Sequence, residues 1–110
     1  MSIENPSVID GIGTDAVSGT TVLTVSDHLD WAEENSHLSA LQSKVNAYLD
    51  FVSSGQIYEI RPEARGSQIR IDVIARIPPP ASVNWFFDKV HEITLASGIG
   101  FTYKQIPDGY

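Results

Sequence analysis

The sequence predicts a single α+β domain, with two helices packed on one face of a largely antiparallel five-stranded sheet in the order β-β-α-β-β-α-β. Three observations carry that prediction. Residues 67–77, SQIRIDVIARI, place Ile69, Ile71, Val73, Ala75 and Ile77 on one side and Arg70, Asp72, Ile74 and Arg76 on the other, as a strand with one buried face does. Leu38, Leu41, Val45, Tyr48, Leu49 and Val52 recur at helical spacing. So do Val83, Phe86, Phe87, Val90 and Ile93. Each helix has a single apolar stripe to hide, and one apolar sheet face can take both.

Taken in order, Val8 to Asp15 reads as a short strand, with Gly11 and Gly13 marking a bulge or an edge. The turn-rich DAVSG, residues 15–19, joins it to TTVLTVS, residues 20–26, which is dense in β-branched residues; the two form a hairpin. The first helix begins near Asn35 or Ser36, either of which can cap it, and ends at Ser54-Gly55. Gln56 to Arg61 reads as a third strand and Pro62 to Gly66 as a loop. After the alternating strand, Pro78, Pro79 and Pro80 stop the sheet, and the last can open a helix without losing a hydrogen bond. Ser97-Gly98 ends the second helix, and Ile99 to Ile106 is the final strand. The domain is expected to span residues 1–106, with 107–110 a flexible tail. Without its first strand the order is β-α-β-β-α-β, so a ferredoxin-like variant is a second expectation. In that topology no place remains beside the second strand for its hairpin partner.

Composition narrows the function classes. The chain has 110 residues, 42% of them hydrophobic, which suits one globular domain with a real core. Cysteine is absent, which removes disulfides, thiolate metal sites and cysteine nucleophiles together and fits a reducing compartment. The N-terminal residues do not have the form of a signal peptide, and no apolar run approaches the ~20 residues needed to span a bilayer. The net charge of −7 is concentrated in residues 1–50, which hold eight acids and one base, Lys44; residues 51–110 hold six of each. Neither nucleic acid nor an anionic membrane is expected as a partner.

Two constellations are candidate sites. SDHLDWAEENSH, residues 26–37, gathers Asp27, His28, Asp30 and His37 with Glu33, Glu34 and Trp31. Carboxylates and imidazoles could hold a divalent ion or carry acid–base chemistry. Their spacing fits no standard ligand set, and acids ahead of a helix also stabilise its N-terminal dipole. The expectation is therefore no metal and no cofactor, a helix start fastened by Trp31, and Trp31 largely buried. The second constellation is the outward face of the sheet, where Arg70 and Arg76, with Arg61 and Lys104, would share a surface with Glu59, Asp72 and Thr102. GIGTDA, residues 11–16, matches a dinucleotide-binding pattern, but that mechanism needs a helix to follow, and a turn and strand follow instead. His91 borders the second helical stripe and is expected to be partly exposed.

The runs Asp27-His28-Leu29-Asp30-Trp31 and His37 through Gln56, then the R-I-D-V strand with its proline stop, resemble a family of small uncharacterised bacterial proteins, a domain of unknown function. The resemblance covers nearly the whole chain. It implies a single-domain, cytoplasmic bacterial protein and brings no activity, ligand or catalytic residue with it. On the residues alone, the leading expectation is a non-enzymatic interaction module using the open sheet face at Arg61, Arg70, Asp72, Arg76 and Lys104. A homodimer or a protein partner would meet that face. The alternative is a small enzyme or divalent-metal protein centred on residues 27–37.

Overall fold

A computed structural model describes residues 9–105. Four strands, β1 (Gly11–Thr14), β2 (Thr21–Asp27), β3 (Ile69–Ala75) and β4 (Gly100–Gln105), form one sheet in the order β1-β2-β3-β4. β1 and β2 are the expected antiparallel hairpin, while β2–β3 and β3–β4 are parallel. Helix α1 (Glu34–Ser53) connects β2 to β3, α2 (Gln56–Ile60) follows it, and α3 (Asn84–Ala96) connects β3 to β4. Single 3-10 turns stand at Pro62–Ala64 and Ala81–Val83.

This corrects the expected fold. The sheet has four strands and is mixed, not five-stranded and largely antiparallel, and the ferredoxin-like variant falls with it. The error lies at one segment: Gln56 to Arg61 is not a strand but the short helix α2. With no strand between α1 and β3, each long helix becomes a crossover between neighbouring parallel strands, as parallel pairing requires. Geometry explains why a helix turn sits there. At 1.5 Å per residue the 20-residue α1 runs about 30 Å, while the seven residues of β2 run only about 23 Å. The chain therefore overshoots the start of β3 and must fold back. Gly55 turns it with φ 83°, a left-handed conformation suited to glycine. Ile57, fully buried, then anchors the returning turn.

Alternation decides the two faces. Leu23 and Val25 of β2, Ile71 and Val73 of β3, and Phe101 of β4 join Leu41, Val45, Tyr48, Val83, Phe86 and Val90 in one core. Both long helices thus cover the same face. The expected alternation of residues 69–75 holds, although Ile77 lies past the strand end and is exposed. On the opposite face, Val22, Thr24, Ser26, Arg70, Ile74 and Thr102 are only half-buried. No helix among the described residues is long and apolar enough to cross a membrane. The expected start of the first strand at Val8 and the expected tail 107–110 lie outside the described residues.

Candidate functional site

Asp27 and Asp30 do shape the way into α1, by a route other than the expected cap. Asp27 Oδ1 accepts the Leu29 N–H at 3.2 Å and Asp30 Oδ1 accepts the Ala32 N–H at 3.1 Å, each carboxylate closing a turn two residues on. The helix begins at Glu34 without a side-chain cap, so neither Asn35 nor Ser36 performs that role.

Asp27 also does more. It ends β2 on the covered face, and the first turn of α1 brings His37 onto it. Asp27 and His37 are 2% and 1% exposed, and His37 Nε2 lies 2.7 and 2.8 Å from the two carboxylate oxygens. His37 Nδ1 stands 2.9 Å from the Asp30 carbonyl oxygen. A carbonyl only accepts, so Nδ1 carries a proton and donates it. A hydrogen bond between Nε2 and the carboxylate then requires one proton between them, on the imidazole as an ion pair or on the acid as a neutral pair. Burial pushes the Asp27 carboxyl above the ordinary carboxylate range, and the His37 contacts pull it back.

Aromatic rings close this pair in. Trp31 stacks on His37, with centroids 3.6 Å apart and planes at 21°. Its indole N–H donates to the Ile77 carbonyl at 3.2 Å. Phe87 meets Trp31 edge-on and lies 4.4 Å from the Tyr103 ring. Burial, then the neighbouring charge of Asp27, push the Tyr103 phenol up. Its hydroxyl is buried and faces the Asp27 carboxylate, but makes no well-formed hydrogen bond among the described residues. Trp31 is half-buried, not largely buried as expected, because it forms the outer layer over His37. His28, one residue past Asp27, faces outward and is exposed. Of the four candidates, then, Asp27 and His37 meet through their side chains, Asp30 joins through its backbone, and His28 is exposed and acts on Asp27 through its charge. Among the described residues no three His, Asp or Glu side chains converge on a point that could hold a metal.

A second buried cluster escaped the sequence reading. Lys44 is fully buried, and its ammonium donates to Asp10 Oδ1 at 3.0 Å. Asp10 Oδ2 accepts the Ser26 N–H at 3.0 Å, just where β1 runs out as a partner for β2. The Tyr48 hydroxyl accepts the Asp10 N–H at 2.9 Å and donates to the Thr24 carbonyl at 2.6 Å. A signal was present. His37, Leu41, Lys44 and Tyr48 share one helical stripe, so a base embedded in it needs an acid from the sheet.

The outward face carries the other candidates. Asp72 stands at its centre, only 6% exposed, between Arg70 and Thr102. Arg70 donates to its two oxygens at 2.7 and 3.2 Å, and Thr102 Oγ1 donates at 2.6 Å. Lys104 lies 3.9 Å from Asp72, and Asp15 lies 3.7 Å from Arg70. Gly100 lies close beneath Arg70: a Cβ there would stand 3.3 Å from Arg70 Cγ, and the arginine would have to shift by a few tenths of an ångström. Arg76 continues the same row past the end of β3 and is exposed. Arg61 and Glu59 are elsewhere, because the segment that bears them is not in the sheet. Glu59 is on α2, and Arg61 Nη2 donates to the Ile12 carbonyl at 2.9 Å, covering the free edge of β1. His91 is exposed on α3.

A family model described as a family of unknown function (DUF6572) matches residues 1–107. No curated protein and no solved structure matches the chain.

Proposed function

We propose that the chain, which belongs to DUF6572, a family of unknown function, works as a non-enzymatic interaction module that meets a protein surface through its open sheet face. The observation that carries this reading is the paired charge around Asp72. Two cations, Arg70 and Lys104, and two anions, Asp72 and Asp15, lie within one hydrogen-bonded and ion-paired patch. Enzyme sites are concave; this face is a sheet surface with glycine at positions 11, 13 and 100. With Arg76 at its edge the face carries three cations and two anions, too small an excess for the basic footprint that nucleic acid or an anionic lipid surface requires. A patch of interspersed opposite charges can meet its own copy across a two-fold axis, and a second copy of this chain is the partner it fits. The buried Asp27–His37 pair supports the same reading, since its polar atoms are spent on each other, on the Leu29 N–H and on the Asp30 carbonyl. A bacterial, cytoplasmic setting belongs to this proposal too, and the lack of cysteine agrees with it.

The test is association measured by light scattering at low and high salt, with a variant carrying Arg76→Glu and Lys104→Glu. Both residues are exposed, so stability should change by less than about 1 kcal/mol. Wild type should form dimers that weaken as salt rises, and the variant should remain monomeric. Dimers that survive both the reversal and high salt would move the contact off this face. A wild type that stays monomeric at low salt would exclude the second copy.

The buried Tyr103 hydroxyl beside Asp27, without a well-formed hydrogen bond among the described residues, favours one other reading, an acid–base centre at Asp27 and His37. It requires a substrate to displace Trp31 from His37, which ligand-dependent quenching of Trp31 fluorescence would reveal.

A further inference from the structure

On the covered side, α1 and α3 part to leave a groove of about 250 Å³. Its floor is Val45 from α1 with Phe86 and Val90 from α3. Trp85 and Ile93, 62% and 48% exposed, form its walls. An indole left in water beside an apolar hollow gains little from this chain's own core. Trp85 and Phe86 meet at 87° with centroids 5.9 Å apart, an edge-to-face pair at the groove that a third ring can extend.

The rim has a definite chemistry. Gln42 and Asn46, four residues apart on α1, bring two side-chain amides to the groove. Lys89 reaches it from α3 and takes part in no ion pair among the described residues. Asp88 and Glu92, the acids nearest in sequence on α3, are not among the lining residues. An apolar hollow with one ammonium and two amide groups at its edge is complementary to an anion carried on an apolar body. Size limits that body. A cavity of about 150 Å³ holds benzene, so this one has room for a ring and a short chain.

We propose that the α1–α3 groove binds a small aromatic carboxylic acid. The ring lies on Val45, Phe86 and Val90 against Trp85, and the carboxylate accepts hydrogen bonds from Lys89 and from the amides of Gln42 or Asn46. This site lies on the side of the sheet opposite the proposed interaction face and does not depend on it.

The experiment is titration of the full chain with 3-phenylpropionate, followed by the two indole N–H signals in NMR. Trp85 should shift saturably, with a dissociation constant in the range of about 0.1–1 mM for so small a ligand, while Trp31 serves as the internal reference. The neutral amide of the same acid should bind about tenfold more weakly, and Lys89→Met should weaken the acid by a similar factor. Ile93→Glu, which puts a fixed anion at the groove wall, should abolish binding. Light scattering run alongside should show no change of mass on titration. Equal affinity for acid and amide, an unchanged affinity in Lys89→Met, or no saturable shift of Trp85 would each overturn the proposal. So would Trp85 protection that rises with protein concentration alone, since the groove would then hold a second copy.

Discussion

Two buried clusters on the same sheet face each combine an aspartate, a nitrogen base and a tyrosine, and end in different states. Asp10, Lys44 and Tyr48 share one set of hydrogen bonds in which the tyrosine both accepts and donates. Asp27, His37 and Tyr103 form the other, and there the buried tyrosine hydroxyl faces the acid without a well-formed hydrogen bond among the described residues. The difference follows from the chain path. Tyr48 lies one helical turn from Lys44 and points at the end of β1, where strand pairing stops and backbone groups are free to bond. Tyr103 comes from β4, two strands away from β2, and arrives beside an acid whose oxygens His37 already occupies. The first cluster closes the sheet edge. The second holds the segment between β2 and α1 and keeps a spare polar group.

The largest effect expected from breaking the comparison is at Lys44. Lys44→Ala leaves the Asp10 carboxylate buried and short of its cation, and should cost about 3–5 kcal/mol in urea unfolding. Lys44→Met combined with Asp10→Asn removes both charges and keeps the volume, so most of that loss should return. If the single and double variants are equally unstable, packing and not the charge pair is what Lys44 supplies.

At the other cluster the matching test is Trp31→Ala. Full burial would imply about 3–5 kcal/mol, but Trp31 is half-buried, so about 2 kcal/mol is expected. The loss should come with exposure of His37, read as faster exchange of its ring N–H protons. A variant as stable as wild type, with His37 still protected, would show that the stacking is incidental.

How much of this could be read from residues alone follows from the distance between partners in the chain. The alternation of β3 and the stripes of α1 and α3 are local, and they appear as expected in all but their ends. The hairpin is local too. Strand direction is not: it turned on Gln56 to Arg61, where Ile57, Tyr58 and Ile60 have sheet-like composition but follow a glycine that reverses the chain. That one segment changed the strand count and left a sheet with two parallel pairings where a largely antiparallel one was expected, and it took Arg61 out of the candidate surface. The stretch around Asp27 and His37 was visible as a cluster of ionisable residues. That Asp27 and His37 meet while His28 turns away needed the end of β2 and the first turn of α1 to be placed together. Asp10 and Lys44 are 34 residues apart, so the pair became visible only with the fold.

The sharpest separation of the two clusters is at their tyrosines. Tyr48→Phe strips the partner from the Asp10 N–H and the Thr24 carbonyl, and should cost about 1–3 kcal/mol at neutral pH. Tyr103→Phe removes a hydroxyl with no well-formed hydrogen bond among the described residues, so neutral-pH stability should stay within about 0.5 kcal/mol of wild type or rise. Alkali adds a second reading. Both phenols are held above their ordinary value of 10.0, chiefly by burial. The folded chain therefore keeps protons that the unfolded chain has released. Their contribution is intact below about pH 10 and is lost as pH rises through the folded-state values. Thermal unfolding at about pH 7 and about pH 11 should show wild type losing stability between the two, and Tyr103→Phe losing measurably less. If Tyr103→Phe is instead as damaging as Tyr48→Phe at neutral pH, its hydroxyl has a partner in solution. A buried water bridging it to Asp27 would then make the two clusters equivalent.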